Sequence, residues 1–237
     1  TPGGSCPTGE PTSRTTLNPT AGTWELVVDG RRTSDTNTAR YSVRATVLGA
    51  VVEPDPDVVE QAVVGQPVER SYDITNQFAA FEGKATGGAL SSAFIARPSV
   101  AELAQDQRDV TVPAGATSLS VRIGNPSDAG SDLDLLVYYC TSDTECTLRA
   151  QSAGGTSEEA VTVEDPEAGT WRVVVDGYAV PSGTTQYDYR DVIDAPGYGT
   201  LAISDTDAQR ATGETWTVDG TLTAESDPGE GRSLLGR

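Results

Sequence analysis

The 237 residues predict an all-β protein, built from antiparallel β-sandwich modules in tandem. Three observations carry that expectation. Apolar residues fall in short Val-rich runs bounded by Gly, Pro and Asp, the pattern of strands and turns. No window sustains an apolar period of 3.6, and the best helical candidate, "DPDVVEQAVV" at 55–64, is brief. A thirteen-residue block also occurs twice, as "NPTAGTWELVVDG" at 18–30 and "DPEAGTWRVVVDG" at 165–177, with nine identical positions. A block repeated at this length marks a repeated unit.

Residues 1–49 hold two strand-like runs, "TWELVVDG" and "RYSVRATVLG", around a polar turn. Two strands cannot bury a core alone, so 1–49 reads as the back half of a first, incomplete module. Residues 50–76 read as a linker, "AVVEPDPDVVEQAVVG", followed by a leading strand, "PVERSYDITNQF". Residues 77–196 read as a complete sandwich. There "RDVTVPAG", "TSLSVRIG", "SDLDLLVYYC", "EEAVTVE", "TWRVVVDGYAV" and "QYDYRDVID" follow one another with turn residues between them. In the fifth run Val173 and Val175 share one strand face and Val174 takes the other. A strand apolar on both faces belongs in the middle of a sheet. Residues 197–237 add "YGTLAIS" and "ETWTVDGTLTAES", read as strands of a following β module.

The chain has three cysteines. Cys140 and Cys146 flank a five-residue loop after a strand, which suits a disulfide and an oxidising, extracellular compartment. The alternative is a metal pair, which lacks the histidine or second cysteine pair it would need. Cys6 follows five residues from the first position, the same spacer as between Cys140 and Cys146. The chain is therefore expected to be a segment of a longer polypeptide, cut inside a disulfide-closed loop. Its upstream part would then be a partner held through Cys6. The alternative is a coincidental free thiol.

Thirty-five acidic residues against 16 basic give a formal charge of −19. No basic stripe exists to neutralise phosphates, so nucleic acid is not an expected partner. No apolar stretch is long enough to span a bilayer as a helix, so membrane insertion is not expected. There is no histidine in the chain. A Ser-His-Asp triad, a Cys-His pair or a His-ligated metal cannot be assembled, and no P-loop, Rossmann fingerprint or Gly-x-Ser-x-Gly elbow occurs.

The blocks "RDVTVPAGATSLSVRI", "SDLDLLVYYC" and "EDPEAGTWRVVVDGY", in that order and spacing, resemble the bacterial pre-peptidase C-terminal domain. The resemblance covers about residues 77–192, and residues 1–49 resemble the back of the same domain. The combination "DITNQFAAFEGKA", "IARPSVAE" and "DGYAVPSGTTQYDYRDV" is also similar to the C-terminal region of secreted subtilisin-like serine peptidases of streptomycetes. The resemblance implies a jelly-roll-like accessory sandwich downstream of a catalytic domain that is not in this chain.

Two candidate sites remain. "NPSDAGSDLDL" gathers Asn125, Asp128, Asp132 and Asp134 in one turn and the strand it feeds. Asp128, Asp132 and Asp134 are the candidate calcium ligands, since calcium takes hard oxygens from such turns. The other reading is a solvated Asp turn. Tyr187 and Tyr189 share a strand face, as a sugar or peptide platform or as core. Glu158 and Glu159 are adjacent and point to opposite faces, which does not suit a glycosidase pair. The sequence thus predicts a secreted, non-catalytic accessory region that aids stability, secretion or contact with an extracellular protein or polysaccharide. The alternative is a freestanding extracellular binding or adhesion protein.

Overall fold

The computed structural model describes residues 49–236. The repeat copy at 18–30 and Cys6 lie outside the described residues. Eighteen strands follow one another: β1 (Ala50–Glu53), β2 (Pro67–Asn76), β3 (Phe81–Gly83), β4 (Gly88–Ala89), β5 (Ser91–Ala96), β6 (Ser99–Ala101), β7 (Gln105–Val112), β8 (Ser118–Gly124) and β9 (Asp132–Cys140). Then come β10 (Cys146–Ser152), β11 (Glu159–Glu164), β12 (Gly169–Ala179), β13 (Thr184–Gln186), β14 (Asp188–Asp194), β15 (Gly199–Ser204), β16 (Ala208–Arg210), β17 (Thr215–Ala224) and β18 (Ser233–Leu235). The described residues form an all-β structure with antiparallel pairing throughout.

A four-stranded sheet, in the order β10-β9-β12-β7, shares one core with a five-stranded sheet, β11-β8-β14-β5-β18. The period-2 alternation of each strand supplies that core. Leu133, Leu135 and Val137 of β9 meet Trp171, Val173 and Val175 of β12, and Leu119, Val121 and Ile123 of β8 close it from the facing sheet. β12 lies between β9 and β7, as its apolar character on both faces predicts, and its outer Val174 is buried as well.

A second five-stranded sheet, β1-β2-β17-β15-β4, joins residues far apart in sequence. β2 pairs along its length with β17, from Thr75 opposite Thr215 to Pro67 opposite Thr223. The strands of 197–237 thus find their partners within this chain, and Ala50–Glu53, in the stretch read as linker, adds an edge strand to β2. Tyr72, Ile74 and Val218 form a small core there, with Leu201, Ile203 and Trp216 packed on it. Asp205 ties this part together: its carboxylate accepts from the Ala85 amide at 2.8 Å, the Trp216 Nε1–H at 3.1 Å and the Arg210 guanidinium at 2.8 Å. The Arg210 guanidinium also lies 4.3 Å from the centre of the Trp216 ring. Burial, countered by those hydrogen bonds, leaves the Asp205 carboxyl below its usual range, the Ala85 amide being the largest cause.

Cys140 and Cys146 form a disulfide. They are direct cross-strand partners at the end of the β9-β10 hairpin, with Cα atoms 4.0 Å apart. The closed loop is short, so replacing both cysteines by Ala should cost about 2 kcal/mol, the chain-entropy value for such a loop. Urea unfolding of the double variant beside the native protein measures it. An unchanged midpoint would show that the hairpin is held without the bridge.

Candidate functional site

In the block at 165–177, Gly169, Trp171, Val173, Val175 and Gly177 have structural roles. Gly169 has φ +136°, a conformation that L side chains rarely adopt. It lets the turn after Pro166 enter β12. Trp171, 2% exposed, packs against Tyr139 with ring centres 5.4 Å apart, and its indole N–H donates to the Glu167 carbonyl at 2.8 Å. Val173 and Val175 fill the core. Gly177 lies against the turn between β6 and β7: its amide donates to the Ala104 carbonyl at 2.9 Å and its carbonyl accepts from the Leu103 amide at 2.8 Å.

The three aspartates read as calcium ligands take different roles. Asp128 clamps two loops: one carboxylate oxygen accepts from the Gly130 amide at 3.0 Å and the other from the Ser182 amide at 2.8 Å. These amides, Ser182 first, hold its carboxyl below the usual range. Asn125 turns away, its side-chain amide donating to Asp188 at 2.9 Å. Asp132 and Asp134 share the outer face of β9, and Asp176 of β12 lies directly opposite Asp134. Asp128 therefore does not join Asp132 and Asp134 as a ligand set. Among the described residues no group of three or more His, Cys, Asp or Glu is placed to hold a metal ion.

The outer carboxylates repel one another. Asp132 has one carboxylate oxygen buried without a hydrogen-bond partner, and burial raises its carboxyl. Asp134 is pushed up to about 6, by burial first and then by the charges of Asp132, Glu159 and Asp176. Its folded-state value thus lies above the ordinary carboxylate value of about 4. The stability this lends is fully present below pH 4 and is lost as pH rises through 6. Asp134→Asn should therefore match the native protein near pH 4 and exceed it at pH 7.5 by about 1 kcal/mol, solvent screening included. Thermal melts at the two pH values check this. A variant less stable at pH 7.5 would mean that the charge of Asp134 is used by the fold.

Tyr187 and Tyr189, open between platform and core on sequence, belong to the core. The Tyr187 hydroxyl donates to Asp106 at 2.6 Å and that of Tyr189 to Asp191 at 3.0 Å. Glu158 is exposed and Glu159 buried, and each accepts a backbone amide: Glu158 that of Asn125 at 2.6 Å, Glu159 that of Gly154 at 2.7 Å. The sequence reading missed the opposition of Asp134 and Asp176, and the burial of Asp191, which nothing in "QYDYRDVID" marks.

Residues 109–177, from β7 through most of β12, match the bacterial pre-peptidase C-terminal domain. The match is confined to that span. Over 165 residues, 69% of its length, the chain is also 32% identical to pyrolysin of Pyrococcus furiosus. That stretch is 11% of pyrolysin, so the chain spans about a tenth of its curated relative. Among solved structures, the periplasmic g-type lysozyme inhibitor PliG of Aeromonas hydrophila aligns with 44% of this chain and 88% of its own, at 12% identity and a TM-score of 0.34. Carbohydrate-binding modules of the β-sandwich superfamily align with 72% of this chain and 75% of theirs, at 11% identity and a TM-score of 0.21. The matched span includes the core strands β8 and β9, most of β12 and the disulfide hairpin. No helix of the described residues is long and apolar enough to cross a membrane.

Proposed function

We propose that this chain is the non-catalytic C-terminal accessory region of a secreted subtilisin-like serine peptidase, and that it aids the stability, secretion or substrate contact of that enzyme. The observation that carries the reading is the pairing of a pre-peptidase C-terminal domain with a 165-residue alignment to a small part of pyrolysin. The chemistry agrees with it. A chain without histidine cannot form the triad of such an enzyme. Several carboxylates of the described residues serve loop clamps and ion pairs, such as Asp128 on two amides and Asp109 on Arg172. The Cys140–Cys146 disulfide suits an oxidising, extracellular setting. Contact with an extracellular protein or polysaccharide, and with the upstream part of the same precursor, belongs to this reading.

The isolated chain, assayed against casein and chromogenic peptides, is expected to give no hydrolysis above buffer. Hydrolysis lost on substitution of a residue within this chain would overturn the reading.

A further inference from the structure

Among the described residues β18 adds a strand to the sandwich. After β17 the chain leaves the second sheet and returns to the sandwich, where β18 pairs with β5, Ser233 opposite Ala93 and Leu235 opposite Ser91. Just before β18, Arg232 enters the protein. Its Nη2 donates to Asp191 at 2.6 Å and to the Ser92 carbonyl at 3.1 Å, and its Nε donates to the Ser92 hydroxyl at 2.5 Å. That hydroxyl in turn donates to the Pro228 carbonyl at 2.8 Å. Asp191 is 0% exposed, and its other oxygen accepts from the Tyr189 hydroxyl. Arg108 of β7 lies over the Phe94 and Tyr189 rings, 4.3 and 5.2 Å from their centres.

These contacts have the form of a peptide bound to a sheet edge. Main-chain pairing to β5 fixes the register, and one side chain seated in a pocket fixes the identity. A planar guanidinium that reaches a carboxylate, a hydroxyl and a carbonyl together is arginine recognition that lysine cannot reproduce. The strand is also short. β18 covers residues 91–93 of β5, and among the described residues no strand pairs with the outer edge of 94–96, where Ile95 is 69% exposed. An uncovered edge next to a seated strand is a template for strand addition. When residues 228–235 leave, Asp191 loses the guanidinium that pairs with it, which favours refilling by another arginine.

We propose that the β5 edge, with Asp191, Ser92 and Tyr189, is a docking site for an extended peptide bearing arginine, and that residues 228–235 are its detachable occupant, supplied by the chain itself. The site is independent of the proposed peptidase context and stands if that reading fails.

The test uses a fluorescent peptide of residues 226–236, SDPGEGRSLLG, and the same peptide with Ala in place of its arginine. Fluorescence anisotropy follows binding to the full chain, to Arg232→Ala and to Arg232→Ala with Asp191→Asn. Arg232→Ala is expected to bind the arginine peptide at one site, at least tenfold more tightly than the alanine peptide. The native chain should bind at least tenfold more weakly than Arg232→Ala, because its own tail competes at high effective concentration. The double variant should lose the preference for arginine. Equal binding of the two peptides, or none, overturns the proposal and makes the tail a fixed part of the fold. Should Arg232→Ala fail to fold, Arg232→Lys serves in its place. Hydrogen exchange on the native chain reads the same question without substitution. A detachable tail exposes the amides of β18 at least a hundredfold faster than those of β9 and β12, and equal protection contradicts it.

Discussion

Trp171→Ala is expected to destabilise the sandwich by about 4 kcal/mol, the cost of removing a large aromatic side chain from a packed core. At the size of this chain that is a fall of roughly 10 °C in Tm. The reason lies in the position of Trp171 between the two edges of its sheet. Cross-strand neighbours are Tyr139 on one side and Val110 on the other. The ring fills the end of the core where the turn after Pro166 arrives, and the indole N–H satisfies the Glu167 carbonyl. Alanine empties the space and leaves that carbonyl without its donor. Trp171→Phe keeps most of the apolar area and loses the hydrogen bond, so it should fall between Ala and the native protein. Urea unfolding of the three proteins gives the order. An Ala variant within 1 kcal/mol of native would mean that the core closes over the gap, contrary to the close packing of interiors.

Gly177→Ala is expected to cost about 3 kcal/mol, by overpacking rather than by loss. A Cβ on Gly177 would lie 2.3 Å from the Ala101 carbonyl oxygen, which is backbone and cannot swing aside. The same glycine is held on both sides by hydrogen bonds to Leu103 and Ala104, so β12 cannot retreat without breaking them. Gly155→Ala is the control. A Cβ there would meet nothing within 4 Å, and its stability should not change beyond a few tenths of a kcal/mol. Equal stability of the two variants would place the Asp176-Gly177 step outside the constraints on the sandwich.

These two residues also show what the sequence makes legible. The repeated Ala-Gly-Thr-Trp and Val-Val-Asp-Gly positions are local. They encode a left-handed turn residue, a core anchor, an apolar strand and a close backbone approach. A reader of the chain sees them because each constraint acts within a few residues. The strands of the sandwich and the hairpin disulfide are legible for the same reason. The pairing of Pro67–Asn76 with Thr215–Ala224 is not, because strand alternation states which face is buried and not which distant strand is the neighbour. Asp134 and Asp176 repel across the register between β9 and β12, which here joins residues more than 40 apart in sequence, so the raised carboxyl of Asp134 has no local signature. Asp191 lies in "YRDVID" among other charged residues, and only the return of the chain at Arg232 reveals it as a buried partner. The contacts of the aspartate turn are not local either: the amides of Gly130 and Ser182 each donate to one oxygen of Asp128, and Ser182 lies 54 residues away in sequence.

The proposed place of this chain in a larger secreted peptidase can be read directly from the native protein. The most direct test is to capture the native protein from spent culture medium with an antibody raised against residues 49–236, and to determine its mass and sequence before and after reduction. The account predicts capture from the medium of a polypeptide, or a disulfide-linked assembly, larger than the 237-residue chain, with subtilisin-like peptidase sequence upstream of it. A chain of this length alone, from a gene that encodes no peptidase, would overturn the proposed function and favour a freestanding binding protein.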